Sequence, residues 1–384
     1  MAVSDTRKAS GTTRGTPAAS TGTHPGGQAT RREDLLAMIF SACMIGGALA
    51  DGWAHANLSE TLEGFFTPWH GLLYAGFAAS AGWIFWLAYQ RRDQAPIWWR
   101  HGWPHGYRTG AIGVLVFGLG GFTDMIWHET LGVEVGLNAT FSPSHQLIVI
   151  GAVLMVTSPL RSWWAARDGG LRTITGITGL TLGIMAPTIL LTHSSAFLTL
   201  APTMPYDPTL AQQGASGGLT AIAGVDSYLI TTVLLVAPLL WVHRRRAVAG
   251  AATAVTFGVA LFVMVMFEFP QPAASGTLGA LCGAAVTDLV LRRLDAVRGL
   301  AAPLRLPLAG ALFAALLWIG HLAGLQIAEG LRWPAEMITG IIVLTAVLGA
   351  ALGGLAARAA EHRGSSPATD PNAGAGTPPA TVDA

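Results

Sequence analysis

Long apolar runs, broken by short polar connections, fill the chain from Leu35 to Ala357. A run of roughly 20 such residues spans a lipid hydrocarbon layer as a helix. In lipid, a helix satisfies its backbone polar groups within its own segment. Ten spans follow: 35–55, 67–90, 109–128, 142–161, 173–194, 219–241, 248–268, 275–291, 306–326 and 335–357. The pattern therefore predicts an all-α integral membrane protein of about ten transmembrane helices.

The flanks read differently. Residues 1–32 and 359–384 are rich in Ser, Thr, Gly, Ala and Pro and have no apolar run. They predict disordered tails around a transmembrane domain at 33–358. The first tail also has no apolar core of the kind a cleavable signal peptide needs.

Charge fixes an expected orientation. Lys and Arg near span ends collect on the cytoplasmic side. Here every basic residue except Arg332 precedes span one or follows an even-numbered span. Both termini are thus expected in the cytoplasm of a cell inner (plasma) membrane.

Composition agrees with lipid as the partner. Of 384 residues, 52% are hydrophobic and only 11% charged, against about a quarter charged in soluble domains. A formal charge of +1 gives no electrostatic case for nucleic acid. Cys43 and Cys282 lie inside apolar runs and form neither a disulfide framework nor a zinc-ribbon spacing. There is no P-loop, dinucleotide glycine fingerprint, HExxH or GxSxG. Asn57-Leu58-Ser59 and Asn138-Ala139-Thr140 match glycosylation sequons, a pattern that matters only in a secretory pathway.

Within this apolar chain one polar pattern occurs twice. Residues 51–70 read DGWAHANLSETLEGFFTPWH, and residues 124–145 read DMIWHETLGVEVGLNATFSPSH. Each copy is Asp-x3-His, a connection, then Phe-[Ser/Thr]-Pro-x-His. The unit is a helical hairpin, spans 1–2 and 3–4, repeated in parallel. Asp and His four residues apart share a helix face. Thr67-Pro68 and Ser142-Pro143 resemble an N-cap followed by proline at the first helical position. This places His70 and His145 in first turns, near the acid and histidine that end the preceding helix. At 1.5 Å per residue, Asp51 lies about 24 Å and Asp124 about 21 Å along its span. An acid at that depth normally faces the bundle interior with a partner.

Asp51, His55, His70, Asp124, His128 and His145 are the expected metal ligands or their orienters. Imidazole and carboxylate donors suit copper, zinc, iron or nickel. His193, Asp226, His321 and Glu329 fall in the same outer half and are candidates for further ligands, ligand orienters or proton relays. Glu60, Glu63, Glu129, Glu134 and Asp207 are expected in outer loops, where they attract cations. The alternative for the whole set is a structural polar network tying helices together.

The Asp-x3-His pattern with a later histidine resembles the copper-binding motif in the membrane helices of particulate methane and ammonia monooxygenases. The resemblance covers about 20 residues per copy and maps onto Asp124, His128 and His145, or equally onto Asp51, His55 and His70. The two histidines that follow the acid stand further apart here. The resemblance implies a metal cofactor, with copper favoured over iron or zinc. It is compatible with an oxidoreductase acting on a small or lipid-soluble substrate, or with metal delivery to a membrane complex partner. Two further readings use the same residues: a cation- or proton-coupled transporter, and haem b held by two histidines from facing spans.

Overall fold

The computed structural model describes residues 26–58, 64–134, 136–166, 169–209, 216–244, 248–267, 271–296 and 302–364. Among them the chain is all-helical: α1 (Arg31–Asn57), α2 (Pro68–Tyr89), α3 (Trp98–His101), α4 (Tyr107–Leu131), α5 (Leu137–Phe141), α6 (Pro143–Val156), α7 (Ser158–Ala165), α8 (Leu171–Leu190), α9 (Ser216–His243), α10 (Ala251–Met266), α11 (Gln271–Ala296), α12 (Ala302–Ala328) and α13 (Ala335–Gly364). Nine of the described helical stretches are long and apolar enough to cross a membrane, counting α6 and α7 as one. The residues of the expected tails at 1–25 and 365–384 lie outside the described ones, as do Glu60, Glu63 and Glu268.

Two boundaries differ from the sequence reading. Helix α1 starts before residue 33. Thr30 accepts from the Glu33 backbone N–H, and the Glu33 carboxylate accepts from the Thr30 N–H. This reciprocal cap fixes the start of the helix. The segment read as span 248–268 is the shorter α10, 16 residues long. At about 1.5 Å per residue this is about 24 Å, less than a hydrocarbon core of about 30 Å. The chain leaves α10 in extended conformation at Phe267.

The two repeated units are antiparallel hairpins, α1–α2 and α4–α6. Their helices approach until backbones touch. A Cβ at Gly76 would lie 2.5 Å from Met44 Cα, and one at Gly151 would lie 2.4 Å from the Phe117 backbone nitrogen. Small residues at such crossings are how membrane helices gain dispersion contacts without a hydrophobic drive. The hairpins lean together through Phe77 and Phe117, stacked at 4.4 Å. They share one apolar core with parts of α8 and α10. A second core, around Trp163, Phe313 and Trp318, joins α7 through α13. Large apolar side chains remain outside both, among them Leu115, Leu119 and Phe122 on α4 and Val343 and Val347 on α13. These surfaces meet the lipid bilayer.

One end of the first bundle is clamped by ionic contacts. Asp34, fully buried, accepts hydrogen bonds from Tyr107 Oη at 2.8 Å and Ser162 Oγ at 3.0 Å. Arg172 stands 3.5 Å from the same carboxylate, and Arg91 pairs with Glu33 at 3.0 Å. Both repeated motifs lie at the opposite end of this bundle.

The Gly151 crossing gives a direct test. Gly151→Leu is expected to destabilise the protein by about 1–3 kcal/mol, because the new side chain meets backbone that cannot yield. Gly71→Ala, with open space around its Cβ, should leave the detergent-solubilised melting temperature nearly unchanged.

Candidate metal centre

Proline starts the second helix of each hairpin, as the sequence predicts. In the first hairpin Thr67 is the N-cap and its hydroxyl accepts from the His70 backbone N–H at 3.1 Å. The same hydroxyl lies 3.0 Å from His70 Nδ1, so the cap also holds the ring. In the second hairpin Ser142 occupies the cap position without making the cap bond. Its hydroxyl instead pairs with Ser144 Oγ at 2.8 Å, and Ser144 donates to Asp124 Oδ1 at 2.9 Å. The cap residue is diverted into supporting the acid.

The Asp-x3-His pairs share a face, but neither pair is hydrogen-bonded. His55 Nε2 lies 4.0 Å from Asp51 Oδ2, and His128 Nε2 lies 3.7 Å from Asp124 Oδ1. The closer partners are the first-turn histidines: His70 Nδ1 to Asp51 at 3.6 Å, and His145 Nε2 to Asp124 at 3.1 Å. The four imidazoles form a continuous cluster across the two hairpins. Ring centroids are 5.5 Å apart for His55–His70, 5.4 Å for His70–His128, 6.0 Å for His55–His128 and 6.2 Å for His128–His145.

A fourth donor joins the second copy. Glu134, placed by sequence among the loop acids, turns inward with its side chain 8% exposed and Oε2 at 3.3 Å from His128 Nε2. The glycines flanking its loop make this path available. Gly132 and Gly136 have φ of 89° and 60°, left-handed values that glycine adopts without strain. That Gly-x-Glu-x-Gly spacing is the signal from which sequence could have found it. Glu129 also leaves the role read for it. It accepts the Phe65 backbone N–H at 3.2 Å, and so seats the Phe65 ring on His70 at 4.8 Å.

Two sets of ligand atoms result, each with its members within 4.8 Å of one another. One is Asp124, His128, Glu134 and His145, the other Asp51, His55 and His70. Donors about 2.0–2.2 Å from a common tetrahedral ion stand about 3–3.5 Å apart, and the shortest separations here match that spacing. The ring of His145 is already oriented for ligation. Its Nδ1 lies 2.9 Å from the Ala139 carbonyl, which can only accept, so Nδ1 carries the proton. A ligating histidine commonly donates its other N–H in this way.

The centre opens on a cavity of about 430 Å³, lined by Asp51, His55, His70, Asp124, Glu134 and His145 on its polar side. Ile148, Ile189, Met266 and Phe267 stand among its apolar walls. No Lys or Arg lines it among the described residues.

The remaining candidates lie elsewhere. His193 is exposed in the 3₁₀ turn Thr192–Ser194. Asp226 and Glu329 are exposed and do not line the cavity, and Asp226 lies beside Tyr206 and Met337. His321 is fully buried in the second core, with Nδ1 at 2.9 Å from Tyr228 Oη. None of the four joins either ligand set. Asp207 bonds its own loop at Thr209. Asn57, of the first sequon, donates its amide to the Trp53 carbonyl.

Fold and centre together define a multi-pass helical membrane protein whose Asp, His and Glu clusters can hold a metal ion. The chain matches no protein-family model, no curated protein and no solved structure.

The Ser144 bond can be tested apart from any metal. Ser144→Ala leaves a buried carboxylate oxygen short of a donor and is expected to cost about 1–3 kcal/mol, read as a lowered melting temperature of metal-stripped protein.

Proposed function

We propose that Asp124, His128, Glu134 and His145 bind a metal ion, copper favoured over iron or zinc, and that the protein is a membrane oxidoreductase. One observation carries this reading. Among the described residues, both ring nitrogens of His128 and both carboxylate oxygens of Glu134 are buried without a hydrogen-bond partner. An unsatisfied buried polar group costs about 1–3 kcal/mol, more when charged. A cation among them supplies the missing partner for the donor atoms that face it. Copper is favoured because it heads the divalent affinity series for nitrogen and oxygen donors, and because of the resemblance to the monooxygenase motif. Bound copper would supply one-electron redox chemistry. The chain's own residues hold the donor set, keep the His145 ring oriented through Ala139, and flank the set with a cavity whose apolar walls suit a small or lipid-soluble substrate.

The distribution of Arg residues supports a plasma-membrane orientation with both termini cytoplasmic and the centre near the outer surface. A fluorescent protein fused after Ala384 is expected to fluoresce, and alkaline phosphatase at the same place to stay inactive. The reverse pattern overturns the orientation.

A second reading rests on the Asp124–His145 contact. At 3.1 Å the pair holds a proton as readily as a metal, which is what a proton- or cation-coupled transporter needs. That reading predicts cation flux into vesicles that stops in Asp124→Asn.

Metal analysis of the purified full-length protein decides between them. Wild type is expected to retain at least one ion per chain, with affinity falling by at least about tenfold in His128→Ala and in Glu134→Gln. Equally low metal in wild type and both variants, with no haem absorbance, sinks the metal reading.

A further inference from the structure

We infer that Asp51, His55 and His70 hold a second metal ion beside the first, and that this second ion is the one that takes an exogenous ligand from the cavity. The inference rests on the metal reading of the four-donor set and adds a separate site to it.

Three observations lead there. The first is that the donors divide. Asp51, His55 and His70 satisfy the mutual 4.8 Å limit as their own set, and no residue belongs to both sets. Each hairpin supplies its own carboxylate and its own first-turn histidine, so neither set depends on the other for completeness.

The second observation is charge. Three carboxylates, Asp51, Asp124 and Glu134, line the cavity, with no Lys or Arg among the described residues lining it. One divalent ion in the four-donor set balances Asp124 and Glu134. Asp51 is left over, and its Oδ1 is buried with no hydrogen-bond partner among the described residues. A carboxylate in such surroundings is neutralised either by a proton or by a cation of its own. His55 and His70, turned toward it at 4.0 and 3.6 Å, are the donors at hand.

The third observation is coordination number. Zinc sites with four protein donors are closed, whereas those with three keep a position for water or substrate. The four-donor set has its complement. The three-donor set does not, and all three of its side chains line the cavity, whereas His128 of the other set does not. Ala48 and Ala56 put only small side chains on the α1 wall beside Asp51 and His55, and the Met266 side chain packs over Gly52 between them. Because all three donors line the cavity, a small ligand within it reaches the three-donor ion directly.

Metal stoichiometry and azide binding test this on the full chain, stripped with chelator and reloaded with Cu(II). Wild type is expected to bind two ions, and His55→Ala and His128→Ala one each. Asp51→Asn serves as a second removal of the same site as His55→Ala, by a change that nearly conserves side-chain volume. Azide should give a charge-transfer band in wild type and in His128→Ala, and at least a tenfold weaker one in His55→Ala and Asp51→Asn. One ion in wild type, lost by substitution in either set, means a single shared site. That result overturns this inference and leaves the metal reading standing. Two ions with azide binding unchanged in His55→Ala and Asp51→Asn also overturns it. No ion in any protein ends both.

Discussion

Asp124 sets the terms for this bundle. Only 2% exposed, it sits between apolar helices where an unmatched carboxylate costs several kcal/mol. Much of the local architecture answers that cost. Ser144 is turned inward to donate to it, Ser142 gives up its capping bond to support Ser144, and His145 is braced by Ala139 so that Nε2 faces it. The connection between α4 and α6 bends at two glycines in left-handed conformation and carries Glu134 down beside His128. The second acid thereby joins the first around His128, in a donor set that can hold a cation.

The hydropathy pattern made most of the fold legible, because span length and basic flanks are properties of local sequence. The doubled Asp-x3-His and the Pro starts also carried into three dimensions, since i,i+4 spacing and an N-terminal proline act within one helix. What sequence could not supply was direction around the helix axis and the path of connections. Depth alone grouped His193, Asp226, His321 and Glu329 with the motifs. Packing turned Asp226 and Glu329 away from the centre and His321 toward Tyr228 in the other core. Glu134 was hidden for the opposite reason. A loop residue is placed by where its ends are tied, and those ties are made by α4 and α6 together. Ser142 takes the predicted cap position but not the cap bond, because Ser144, two residues on and bonded to a buried acid, competes for its hydroxyl.

The two cores divide the work. The α7–α13 core is closed around aromatic side chains, with some of its polar groups paired locally and others, such as His321 Nε2 and Thr256 Oγ1, buried without a partner among the described residues. Trp318 donates to Thr232 and Tyr228 meets His321. The repeated hairpins form the other core, and unpaired polar atoms gather at their far end. Duplication explains the symmetry of the helix starts and ends. The differences between copies, Glu134 and the serine pair in one and the Thr67 cap in the other, give the two halves unequal donor sets.

The clamp at Asp34 has a mechanical consequence. Helix α1 is a rod held at one end by Tyr107, Ser162 and Arg172, with Asp51 about 26 Å away along the axis and His55 one turn beyond it. Angular position along a rod is inherited from where it is fastened. A single residue inserted between Asp34 and Asp51 would swing both side chains by about 100° and carry them off the cavity wall toward neighbouring helices or lipid. The length of α1 between its two acids is therefore a gauge that evolution can alter only by whole turns.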